Sequence, residues 1–172
     1  FLMKGNPNHE LPAQRQDKVV KLDSLDELES DPDLLHGQLE NGFTYYVKQN
    51  DADPESVQIR LVVKVGSIVE QPNESGFAHF IEHMAFRGTK SHSRAQIKKL
   101  FEKFGCAWGD DVNATTSHTD TVFHFNVPID SYQIFDNFVL EAIDLIKCWC
   151  TGIKFDEKTV DIERKVILEE WR

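Results

Sequence analysis

The chain has 172 residues, 40% hydrophobic and 28% charged, enough apolar content to bury one core and too much for a disordered chain. Nineteen basic residues against twenty-nine acidic ones give a formal net charge of −10. With no basic stripe, this argues against nucleic acid as the main partner. The longest apolar run falls far short of the ~20 residues a membrane-spanning helix needs.

Residues 1–33 mix Pro, Asn and charged side chains with little periodicity, and read as a poorly ordered leader or linker. The organised part is expected over 34–172. Since the chain opens on Phe1 and stops at Arg172 inside a predicted helix, it reads as a piece of a larger polypeptide. A hairpin is predicted from Gly37 to Leu39 and Phe43 to Val47, across Asn41-Gly42. Val57, Ile59, Leu61, Val63 and Val65 alternate with polar residues, as in a half-buried strand.

A helix is predicted from Gly76 to Phe86, with Phe77, Phe80, Ile81, Met84 and Ala85 burying most of its surface. A second runs from Arg94 to Phe104, opened by Ser93 and closed by Gly105. Val112 to Thr116 and Thr121 to Val127 read as strands, the latter with Phe123, Phe125 and Val127 on one face. Tyr132, Phe135, Val139, Ile143 and Ile146 have helical spacing, and a last helix starts near Asp156. This order argues for an α+β fold, with helices packed on a mainly antiparallel sheet.

The chemistry concentrates in His79-Phe80-Ile81-Glu82-His83. Histidines at i and i+4 share one helix face, so their ring nitrogens converge on a single cation. Two imidazoles suit Zn²⁺, which keeps an open position in catalytic sites. Glu82 lies within reach of water there and is placed to act as its base. Buried imidazoles beside a carboxylate are costly unless something pairs them, and a cation does so. H-x-x-E-H inverts the commoner H-E-x-x-H and is the inverzincin signature.

The stretch from Gly76 to Thr89 resembles the zinc-binding segment of the pitrilysin/insulinase-type metallopeptidases, a group that includes the mitochondrial and stromal processing peptidases. The likeness extends to Gly37-x-Leu39-x-Asn41-Gly42-Phe43, to Val65-Gly66-Ser67 with Glu70, to Asp111 through Ser117, and to Asp161 through Trp171. It covers roughly residues 36 to 172.

The resemblance implies a zinc-dependent endopeptidase acting on peptides or presequences, with an α+β fold. It implies Glu170 as third ligand beside His79 and His83, Glu82 as the catalytic base, and Glu163 as a supporting carboxylate behind the ligands. Glu163 and Glu169 are the alternatives for the third ligand. It also implies that Asn113, Ala114 and Thr115 receive the substrate as an added strand; Asn113 either bonds the substrate or closes a turn. A second homologous domain or subunit is expected to complete the enzyme, so these 172 residues alone should bind metal weakly and hydrolyse little. The other reading within this family is a non-catalytic homologue serving as a structural or assembly subunit.

Cys106, Cys148 and Cys150 are odd in number, and the last two point apart on a helix. They read as reduced packing residues without metal-ligand spacing, a lean toward an intracellular or organellar setting. His9, His36, His92, His118 and His124 have no partner at ligand spacing and read as surface or structural residues. Arg87 at its helix end would complement the dipole.

Overall fold

The computed structural model describes residues 31–52, 55–128 and 132–172, the backbone alone over 132–136. The predicted leader, residues 1–33, lies outside the described residues except for its last three. Contacts divide the chain into two units, one ending at Gln49 and one beginning at Asn50.

In the first unit, β1 (Leu35–Gln38) pairs antiparallel with β2 (Thr44–Val47), Gln38 opposite Thr44. The connection is not a two-residue turn on Asn41-Gly42. Leu39 and Phe43 form the closing pair (Leu39 N to Phe43 O, 2.8 Å), and Gly42 N donates to Leu39 O at 2.9 Å. Gly42 alone takes a left-handed φ of 86°, as the last residue of a three-residue loop does. Asn41 instead accepts the Phe43 N–H on its Oδ1 at 3.1 Å.

In the second unit, β3 (Ser56–Val63), β5 (Thr121–Pro128) and β4 (Val112–Thr116) form an antiparallel sheet with β5 central. Leu61 and Ala114 both pair with Phe123. The strict alternation on β5 sends Phe123, Phe125 and Val127 to the interior, as period-two strands require. Helices α1 (Phe77–Arg87), α2 (Arg94–Lys103), α3 (Tyr132–Thr151) and α4 (Glu157–Glu170) complete the unit.

Local chemistry explains these ends. Ser93 and Gln96 form a reciprocal capping box on α2, and Asp156 accepts the Thr159 N–H at 3.0 Å to cap α4. Gly76, at the start of α1, has φ 89° and no side chain to cap with. Glu70 supplies the cap from outside, accepting the N–H groups of Gly76 at 2.8 Å and Ala78 at 2.7 Å.

The core gathers Phe101, Phe125, Phe138, Ile97 and Leu145, all fully buried; each such side chain contributes about 1.5–3 kcal/mol. Trp149 packs on Phe123 with ring centroids 4.8 Å apart and on Phe86 at 5.2 Å. Its indole N–H donates to Ala85 O at 2.9 Å, satisfying a carbonyl of the last turn of α1.

Packing sorts the apolar residues of two helices, and on α1 the expectation of a mostly buried surface fails. On α3 the interior face is Phe138, Ala142, Leu145 and Trp149, while Ile143 is exposed. Both sets have helical spacing, and the sheet selects the one carrying the large aromatics. On α1, Met84, Ala85 and Ala78 are buried but Phe77 and Ile81 are 56% and 43% exposed. Burial there is one-sided because the opposite face carries the histidines.

Candidate metal centre

One turn of α1 sets His79 and His83 side by side, their rings 4.6 Å apart and nearly perpendicular. Their Nε2 atoms face each other at 3.1 Å. From α4, Glu170 Oε2 approaches to 3.7 Å from His79 Nε2 and 3.5 Å from His83 Nε2. Among the described residues these three form one of two groups whose donor atoms lie within 4.8 Å of one another.

The protonation of this cluster is constrained from behind. Glu163 Oε1 lies 2.8 Å from His83 Nδ1, and Glu163 is only 2% exposed. A carboxylate there requires Nδ1 to carry the proton, which leaves Nε2 as a bare acceptor. That acceptor faces another imidazole nitrogen and a carboxylate oxygen. Ligand atoms of His79, His83 and Glu170 thus gather within 4.8 Å of one another, a donor set and spacing that fit a divalent metal. Two imidazoles and a carboxylate are a ligand set that Zn²⁺ takes, with one position left open.

Glu163 also forms an ion pair through Oε2 with Arg87 Nε. Arg87 thus pairs with the supporting carboxylate, a more specific role than complementing the helix dipole. Because α4 is pinned at Asp156 and packed through buried Ile167, Glu163 and Glu170, about two turns apart, reach the same face of α1. Val166 between them remains exposed, while Ile167 is buried. Glu169 turns instead to Arg172, at 2.8 Å from its Nη1.

Glu82 is 7% exposed and lies on the same helix. Thr116 Oγ1 donates to its Oε2 at 2.6 Å, and Thr116 in turn sits 3.3 Å from Thr121 Oγ1. One carboxylate oxygen is therefore fixed by β4. The sequence reading placed Thr116 only within the Asp111–Ser117 stretch; its place opposite α1 gives it the contact with Glu82.

Asn113, Ala114 and Thr115 lie on β4, an edge strand of the described sheet. Asn113 Nδ2 donates to Gly109 O at 3.0 Å, and Ala114 N–H donates to Asn113 Oδ1 at 2.9 Å. The Ala114 amide consequently faces away from β5. A cavity of about 440 Å³ opens beside Glu82 and His83, lined by Phe86, Trp108, Asn113 and Arg94 among others.

The backbone frame around α1 rests on Gly66. A Cβ there would fall 2.4 Å from Ser117 O, so only glycine allows the approach. Ser67 N–H and Ile68 N–H then bond Ser117 O and His118 O at 3.2 and 2.9 Å. His118 Nδ1 meets Ser67 Oγ at 2.9 Å, away from the cation cluster. Cys106 is buried, Cys148 half-buried and Cys150 exposed, so the last is not a packing residue.

A family model described as Insulinase (Peptidase family M16) matches residues 45–172. Over 153 residues the chain is 39% identical to the Probable zinc protease PqqL of Haemophilus influenzae, covering 89% of this chain and 16% of that protein. It is 34% identical over 168 residues to the chloroplastic stromal processing peptidase of Arabidopsis thaliana, covering 92% of this chain and 12% of that protein. The crystal structure of the periplasmic protease PqqL from Escherichia coli matches with a TM-score of 0.77 at 36% identity, over 84% of this chain and 16% of that one. The chain thus spans about a sixth or less of the length of these relatives.

Proposed function

The chain belongs to the insulinase family of peptidases, and from that membership we propose that it carries the metal-binding half-site of a zinc-dependent endopeptidase. The observation that carries this reading is the convergence of His79 Nε2, His83 Nε2 and Glu170 Oε2.

These three side chains would hold Zn²⁺, which would supply Lewis acidity to polarise a peptide carbonyl and acidify water. Glu82 takes the proton of the attacking water and passes it to the departing amine. The Thr116 hydroxyl, bound to Oε2, leaves the other oxygen to do so. Glu163 keeps the His83 proton on Nδ1, so that Nε2 stays available.

The substrate backbone lies along β4 as an added strand. The Ala114 N–H, now held by the Asn113 side chain, exchanges that bond for a substrate carbonyl, and the exposed Thr115 side chain lies beside it. Backbone pairing of this kind demands little sequence, which suits both presequence processing and general peptide breakdown. Phe77 and Ile81, exposed on the histidine-bearing helix, are the kind of apolar surface that a partner covers. A second homologous domain or subunit closes over it and holds the peptide against the metal.

Among the described residues no helix is long and apolar enough to cross a membrane. Relatives are named for the periplasm and for the chloroplast, so membership alone does not fix a compartment. The three free cysteines fit the reducing intracellular or organellar settings.

Glu82→Gln in the full-length protein tests the assignment. Retained zinc with turnover reduced by roughly 10²–10⁴-fold fits a general base; unchanged turnover refutes it. A purely structural homologue would show no activity to lose.

A further inference from the structure

A second cluster lies on the far side of the loop that follows α1. His92, Asp144 and Cys148 bring one ligand atom each within 4.8 Å of one another, although His92 is 52 and 56 residues from the other two in sequence. Asp144 and Cys148 stand at i and i+4 on α3, so they share one helix face. His92 is fixed by its loop: its N–H donates to Thr89 Oγ1 at 2.9 Å and its carbonyl accepts the Thr89 N–H at 2.7 Å. Gly88 and Ser93 bridge across the same turn.

The polar atoms of these side chains are not engaged elsewhere. His92 Nε2 stands 3.7 Å from Asp144 Oδ2, too far for a hydrogen bond. A half-buried imidazole nitrogen without a partner is costly, and a cation held at Nε2 supplies one. Among the described residues the Cys148 thiol also has no partner, whereas the Cys106 sulfur lies near the carbonyls of Phe104 and Asn126. A plain surface ion pair would explain Asp144 and His92 but leaves the half-buried thiol beside them without a role.

We propose that His92, Asp144 and Cys148 form a second divalent-cation site, separate from the catalytic cluster. An imidazole, a carboxylate and a thiolate are a donor set for Zn²⁺. On binding, the Cys148 S–H bond breaks, its proton goes to solvent and the sulfur becomes a ligand. Three protein ligands leave a fourth position open toward a groove lined by Gln96, Lys99 and Leu140. The ion cross-links α3 to the loop that ends the catalytic helix, so it stiffens the scaffold on which His79 and His83 stand.

The test uses the metal-depleted full-length protein titrated with Co²⁺, whose bond to a thiolate gives a near-ultraviolet charge-transfer absorption. The catalytic cluster has no sulfur and is silent in it. Wild type should show a component of this absorption that Cys148→Ser removes, with a loss of about one metal per chain. Cys150→Ser should keep both. Asp144→Asn changes a side chain 56% exposed, so it leaves the fold intact and should shift the titration to higher Co²⁺. Identical absorption in wild type and Cys148→Ser, or an equal loss in Cys150→Ser, overturns the proposal.

Discussion

His83 Nδ1 lies 2.8 Å from Glu163 Oε1, and the other oxygen of that buried carboxylate is paired with Arg87. The pairing sets the imidazole's tautomer and orientation before any cation arrives. Glu163→Gln should lower zinc affinity by about 10–100-fold, the usual cost of losing a carboxylate behind a histidine ligand. Glu163→Ala additionally strands Arg87, a destabilisation of about 3–5 kcal/mol for a broken buried pair. Chelator competition and thermal unfolding measure the two effects separately.

The cap on α1 gives a second expectation. Glu70 meets two N–H groups at the start of the helix that carries both histidines. Glu70→Ala should cost about 1–2 kcal/mol and weaken zinc binding, since the first turn frays just before His79. Urea unfolding with and without metal checks this.

Thr116→Val removes the hydroxyl that fixes Glu82 while keeping shape. A hydrogen bond to a charged group contributes about 1.5–3 kcal/mol, so kcat should fall roughly 10- to 100-fold. KM should change little, because the lost contact orients the base and does not touch substrate.

Acid sensitivity should appear at Asp156. The Thr159 hydroxyl and N–H both donate to its carboxylate, at 2.9 and 3.0 Å, and these bonds hold it below the usual aspartate range. A depressed value in the folded state means that the cap's contribution is present at neutral pH. It is lost as pH falls through that folded value. Asp156→Asn should therefore flatten the acid limb of a stability profile measured between roughly pH 2 and 6, while leaving the rest of the curve parallel.

Much of this arrangement was legible in the residues. Strand alternation on β5 and the cap signals at Ser93 and Asp156 are local, and they place their elements to within a residue or two. The His79-Glu82-His83 turn is equally local. What escaped depends on contacts between distant segments. On α3, apolar residues occupy two faces at helical spacing, and only the sheet decides that Phe138 and Trp149 point inward. Glu70 and Thr116 become site residues through packing against α1, and Arg87 through the arrival of α4. The meeting of His92 with Asp144 and Cys148 is likewise a product of the fold, invisible to a search for spacing along the chain.

Anomalous diffraction at the zinc edge from crystals of the full-length protein tests the ligand assignment most directly. A peak about 2.0–2.2 Å from His79 Nε2, His83 Nε2 and a Glu170 carboxylate oxygen is the predicted result. No peak between the two histidines, or one completed by Glu163 or Glu169 in place of Glu170, would contradict it.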